Sequence, residues 1–172
     1  AYPGVVMVHE WWGLNEGMKY MAKELASQGY VVLAADLYGG EVAEEPDKAR
    51  ALVSSIHQEK AVANMQAAVS YLRYQQNTPV LGTIGWCFGG GQALRLAMAN
   101  EDIKAAVIYY GTPLVRDQKL ASIKGAVLGI FGDQDQVIPV QHVAEFKERL
   151  RASTIIQEIY VYTGVGHAFE NP

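Results

Sequence analysis

Apolar runs of five or six residues recur along this chain, and each is separated from the next by a longer amphipathic stretch. The runs are near-continuous in Val, Ile, Leu and Ala rather than alternating with polar residues. That is the pattern of strands buried on both faces, so the alternation predicts a parallel sheet covered by helices. Strands are expected at about Gly4 to His9, Tyr30 to Ala35, Val80 to Gly85, Ala105 to Tyr110, Ala126 to Phe131 and Gln157 to Tyr162. Helices are expected at about Glu16 to Gln28, Pro46 to Ser54, Glu59 to Tyr74, Gly90 to Ala99 and Val140 to Arg151. Pro139 ahead of the last helix and Gly29 after the first are start and stop signals. The fold class is α/β, with about six mostly parallel strands and helices on both faces.

A chain of 172 residues fits one such domain, and it buries a substantial core without disulfides or metals. No repeat, low-complexity segment or linker divides it. The least patterned stretch, Tyr38 to Pro46, reads as a solvated loop. Half the residues are hydrophobic and 19% are charged, the balance of a soluble globular protein. No apolar run approaches the roughly 18 residues that span a bilayer, and no basic segment leads into a signal-peptide core. A cytoplasmic location without a membrane partner is therefore expected. The single cysteine excludes an intramolecular disulfide and a cysteine-built zinc cluster. A net charge of −4 without any Lys/Arg run leaves no electrostatic footprint for nucleic acid.

That cysteine stands at the apex of Gly85-Trp86-Cys87-Phe88-Gly89, between an apolar run and a helix-like stretch. The five residues read as a strand, a sharp turn and a helix. Glycines on either side let strand and helix backbones pass close together while the apical side chain projects away from the sheet. Unpaired N–H groups and a partial positive charge at the helix start favour a thiolate and a reaction oxyanion. Cys87 is thus placed as a nucleophile.

A thiol nucleophile requires a base near neutral pH, for which imidazole is suited. The histidines are His9, His57, His142 and His167. His167 follows the last expected strand, and in open parallel sheets the ligand crevice lies beyond the carboxyl ends of the strands, where Cys87 also sits. His142 falls inside a helix and His57 between two helices, so both read as surface residues. An acid that holds the imidazole is expected after the strand ending at Phe131, where Asp133 and Asp135 both satisfy the geometry. Nucleophile, acid and histidine then follow the chain order of α/β-hydrolases.

Gly-x-Cys-x-Gly at 85 to 89, Gly-x-x-Asp-x-x-x-Pro at 132 to 139, Gly-His-x-Phe at 166 to 169 and His9-Glu10-Trp11-Trp12-Gly13-Leu14-Asn15 together resemble the dienelactone hydrolase family, from about Val5 to Phe169. The resemblance implies a Cys87, Asp135, His167 triad that cleaves a lactone or ester through an acyl-enzyme, with no metal or organic cofactor. It implies that Asp133 is a turn residue and that Glu10 helps to activate the thiol. The oxyanion hole would combine the N–H of Phe88 with that of Trp11, and Trp12 and Phe169 would line the pocket.

Dienelactone is an anion, for which the family uses arginine. Arg50 lies in about the right segment and otherwise reads as a surface residue. Family members also carry strands ahead of the one at Gly4 and a closing helix after the histidine, whereas this chain stops five residues past His167. The expectation is one α/β-hydrolase domain lacking those parts, with uncovered apolar sheet that favours a homo-oligomer. Two other readings are a carboxylesterase or thioesterase for neutral substrates and a non-catalytic binding domain of the same fold.

Overall fold

The computed structural model describes residues 1–114 and 116–171. Six strands, β1 (Gly4–Val8), β2 (Val31–Ala35), β3 (Leu81–Trp86), β4 (Ile103–Tyr109), β5 (Ala126–Gly132) and β6 (Gln157–Tyr162), form one sheet in the order β2-β1-β3-β4-β5-β6. All of these pairings are parallel. Five helices connect them: α1 (Glu16–Ser27), α2 (Pro46–Ser55), α3 (Gln58–Gln75), α4 (Phe88–Ala99) and α5 (Val140–Ala152). Every expected element is present, with ends displaced by at most two residues. The sequence reading did not anticipate the short 3-10 turn at Gln118–Ser122. It has no apolar periodicity and is built instead by the Asp117 side chain accepting from the Lys119 N–H at 2.9 Å.

Local signals explain the helix boundaries. Asn15 caps α1 by accepting the Met18 N–H at 3.0 Å, and Pro139 suits the start of α5 because it has no N–H to leave unpaired there. Along α5 the buried residues Val143, Phe146 and Leu150 recur at helical spacing. Each contributes about 1.5–3 kcal/mol by leaving water. Successive side chains of a strand point to opposite faces, so β1 divides between two cores. Val6 and Val8 pack with Met65 and Leu72 of α3 and Leu94 of α4, while Met7 packs with Met18 of α1, Ile84 and Trp86. The α1 side is more thinly covered over β4 and β5. Ala105 is exposed there, and Val107, Leu128 and Ile130 are half-buried. Among the described residues, no helix is long and apolar enough to cross a membrane.

The strand order reverses between β1 and β3, because β1 is followed by β2 on one side and β3 leads to β4 on the other. Chains leaving two such neighbours diverge to opposite faces, and a crevice opens at their carboxyl ends. Residues 9–12 leave β1 at that crevice and Cys87 leaves β3.

Candidate active site

Between β3 and α4 the chain reverses within one residue. Cys87 takes φ 52° and ψ −117°, a left-handed conformation that a non-glycine residue adopts only at a cost of about 1–3 kcal/mol. The surroundings hold it there. The Cys87 N–H donates to the Tyr109 carbonyl at 3.0 Å, and its own carbonyl accepts from the Gly90 N–H at 3.1 Å. The flanking glycines have no room for a side chain: a Cβ on Gly85 would collide with the Gly89 carbonyl, and one on Gly89 with the carbonyls of Val8 and His9.

Two more loops reach the thiol from the ends of β6 and β5. His167 Nε2 lies 3.2 Å from Cys87 Sγ, and His167 Nδ1 lies 2.8 Å from Asp135 Oδ2. Asp135 is buried, and its other oxygen accepts the N–H groups of Val137 and Ile138 at 2.7 and 2.8 Å. The carboxylate is thereby aimed before the imidazole meets it. Asp133 turns the other way and accepts from the Gly164 N–H at 2.8 Å, which ties the two loops together. Of the two aspartates the spacing left open, Asp135 is the one beside the imidazole. His57 and His142 are exposed, on α3's first turn side and on α5.

Burial pushes the Cys87 thiol up to about 11. Hydrogen bonds from the backbone N–H groups of Phe88 and Trp11 oppose that rise, and the carboxylates of Glu10 and Asp135 reinforce it. The helix start does favour the thiolate, as the elbow motif suggested, but desolvation and two carboxylates outweigh it. The two N–H groups expected to form an oxyanion hole both face Sγ.

A neighbouring histidine orients one of these donors. The Trp11 N–H belongs to the peptide whose carbonyl is that of Glu10, and this carbonyl is held at 2.6 Å by His9 Nδ1 and at 3.1 Å by the Gly13 N–H. His9 is fully buried, and its Nε2 accepts the Leu37 N–H at 3.1 Å. It is therefore neutral with the proton on Nδ1, and burial holds its pKa below the ordinary value. Tyr38 secures the next peptide by donating to the Trp11 carbonyl at 3.1 Å.

Glu10 is only 7% exposed, and burial raises its pKa above the usual carboxylate range. Asn171 Nδ2 donates to both of its oxygens at 3.3 and 3.2 Å. The adjacent Glu170 accepts from Trp86 Nε1 at 2.5 Å. Phe169 packs edge-on against Tyr110, with ring centroids 5.5 Å apart, and Tyr110 packs edge-on against His167 at 5.2 Å. Trp11 and Trp12 pack together at 4.7 Å and lean on Tyr38, Ala49 and Leu52. Arg50 is not brought to this site. It sits on α2 with its side chain 64% exposed and paired with Asp47 at 2.6 Å. Its neighbours Ala49 and Leu52 occupy the inward side of the helix, which turns Arg50 away.

His9, Tyr110, Glu170 and Asn171 escaped the sequence reading. His9 was legible as the end of a strand and the first residue of a motif, but without a role of its own, and Tyr110 as part of an apolar run. Glu170 and Asn171 lie past the last motif, and no spacing rule links them to residues 84 and 161 positions away.

Comparison with known proteins shows the family. The model of the dienelactone hydrolase family matches residues 1–172. Protein usf of Aquifex pyrophilus is 30% identical, over 98% of this chain and 77% of its own length. A Salmonella typhimurium protein provisionally named carboxymethylenebutenolidase is 33% identical, over 98% of this chain and 68% of its own. Among solved structures, the dienelactone hydrolase-like promiscuous phosphotriesterase P91, from metagenomic libraries, superposes with a TM-score of 0.89 at 26% identity, over 99% of this chain and 73% of that one. An esterase of Pyrococcus furiosus, at 20% identity and a TM-score of 0.73, shares the fold. The chain belongs to the dienelactone hydrolase family and is a hydrolase of carboxylic esters.

Proposed function

We propose that Cys87 is the nucleophile of a Cys87, His167, Asp135 triad that cleaves an ester or lactone through a thioester acyl-enzyme. The observation that carries this reading is the unbroken path from Sγ to Nε2 at 3.2 Å and from Nδ1 to a doubly anchored carboxylate at 2.8 Å. Such a path moves a proton from thiol to imidazole while Asp135 holds the ring and stabilises the imidazolium that forms.

The steps follow from those roles. Sγ bonds to the carbonyl carbon as the thiol proton passes to Nε2, and the carbonyl oxygen becomes an oxyanion facing the N–H groups of Phe88 and Trp11. Collapse breaks the bond to the leaving oxygen, which takes the proton from Nε2. Water then gives a proton to Nε2 and its oxygen to the acyl carbon, and the acid departs as Sγ recovers that proton. In the resting site the thiol is neutral, so the nucleophile forms only as substrate arrives. Glu10, beside the thiol and without an ion pair to lysine or arginine among the described residues, disfavours the thiolate at rest and stands where it can share in activating it. Phe88, Phe169, Trp11 and Trp12 supply apolar walls for the acyl group.

The test is the initial rate of aryl acetate and dienelactone hydrolysis by the chain, its Cys87→Ala variant and iodoacetamide-treated protein, with intact mass measured during turnover. Thiol-sensitive turnover and a mass increase equal to the acyl group are expected. Retained turnover in Cys87→Ala overturns the reading.

A further inference from the structure

Apart from His167, the charged groups that act at the thiol are carboxylates. The charges that act on Cys87 are the carboxylates of Glu10 and Asp135. Those that act on Glu10 are His167 and Glu170, and those that act on the Tyr110 hydroxyl are again Glu10 and Glu170. No lysine or arginine belongs to any of these sets. Lys19, Lys48 and Arg50 are exposed and paired with Glu16, Glu41 and Asp47. Farther along the chain, Arg73 pairs with Asp102 and Arg95 with Asp117.

The carboxylates are also held in place. Asn171 grips both oxygens of Glu10, and Trp86 Nε1 holds one oxygen of Glu170, which stands at the exposed rim. One polar group among them lacks a partner: the buried Tyr110 hydroxyl. A buried carboxylate such as Glu10 beside a partly desolvated thiol repels an incoming anion, because like charges at such a depth are screened far less than on a surface. Neutral acyl groups meet the aromatic walls without that cost, and a cationic group is attracted.

Building on the triad reading, we infer that this site selects neutral or cationic esters and discriminates against substrates with a carboxylate near the scissile carbonyl. Glu10 sets much of the selectivity, and the exposed Glu170 adds to it. Among the described residues, no lysine or arginine acts on Cys87, Glu10 or Tyr110 to meet the anionic substrate that the family resemblance implied.

The single cysteine allows a test that needs no turnover. Iodoacetamide and iodoacetate are nearly isosteric and differ in charge. Each alkylates Cys87 as Sγ bonds to the methylene carbon, iodide leaves with the carbon–iodine electron pair, and the thiol proton passes to His167 or solvent. The rate ratio of the two reagents is measured at low salt and divided by the ratio for 2-mercaptoethanol. A preference for iodoacetamide of about tenfold beyond the free thiol is expected. It should shrink several-fold in Glu10→Gln and fall only in part at about 1 M salt, because buried charges are screened less than exposed ones. A ratio equal to the free thiol's, or in favour of iodoacetate, overturns the inference. Hydrolysis of a neutral aryl ester and of its analogue with a carboxylate on the acyl chain is measured in parallel. Equal turnover of the two also overturns the inference. Absence of turnover with both strikes the triad reading instead, and the alkylation ratio still decides the charge preference.

Discussion

Asn171 reaches across 161 positions of chain to donate its side-chain amide to both carboxylate oxygens of Glu10, at 3.3 and 3.2 Å. A buried carboxylate is costly unless its lone pairs are met, and here the final residues of the chain meet them. The loop after β1 and the segment after β6 are thus joined directly above the thiol.

Removing the charge of Glu10 should therefore stabilise the fold in a pH-dependent way. Its folded pKa lies above the ordinary 4.5 because burial opposes ionisation. The folded state then binds the proton more tightly than the unfolded state, and this contribution is present below 4.5 and lost as pH rises through the folded value. Thermal melts of wild type and Glu10→Gln should coincide best near pH 4 and separate towards pH 7, with the variant higher. A gap that narrows over this range counts against the assignment.

The thiol should titrate late. With Cys87 pushed up to about 11, the rate of iodoacetamide alkylation should still be climbing at pH 10, where a free thiol has levelled off. By the same linkage, stability from the protonated thiol declines between the ordinary 9.0 and about 11. A plateau below pH 8 in the alkylation profile would show a thiolate already present at rest.

Asp135→Asn should keep the fold and lose catalysis. The amide oxygen can still accept from Val137 and Ile138, but its NH₂ presents a donor to the imidazole and favours the wrong tautomer. A fall in kcat of about 10³ to 10⁴ is expected, measured on an aryl acetate, with little change in KM. A loss under tenfold would deny Asp135 its role.

Tyr110→Phe removes a buried hydroxyl that has no hydrogen-bond partner while keeping the ring against His167 and Phe169. The variant should be more stable by about 1 kcal/mol, because an unmet polar group carries a desolvation cost. Chemical denaturation reads this directly. A destabilised variant would reveal that the hydroxyl is satisfied in solution.

His9→Phe keeps the ring packing against Tyr38 and Phe88, whose centroids lie 4.6 and 5.9 Å from His9, but leaves the Glu10 carbonyl with the Gly13 N–H alone. If His9 aims the Trp11 N–H, kcat should drop by about tenfold or more with KM little altered. A purely structural role predicts lower stability and unchanged kcat in the folded fraction.

Much of this architecture could be read from residue order, because strands buried on both faces and amphipathic helices leave periodic traces within a dozen neighbours. β6 and the starts of α1, α2 and α5 fall where apolar runs and capping residues put them. The elbow at Cys87 and the histidine after β6 were equally legible, since each is a local motif tied to a strand end.

What pattern could not rank was settled by packing. Asp133 and Asp135 are equivalent by spacing, and only the Val137 and Ile138 N–H groups turn one of them towards His167. Arg50 looked available until the inward side of α2 was seen to belong to Ala49 and Leu52. The thiol's resting state shows the same division. A helix start beside Cys87 can be read in the residue order and argues for a thiolate. Burial, together with the convergence of Glu10 and Asp135, reverses the balance, because desolvation and charge proximity depend on distances between segments far apart in the chain. Local chemistry is written in neighbours, whereas electrostatic environment is a property of the folded surface they jointly enclose.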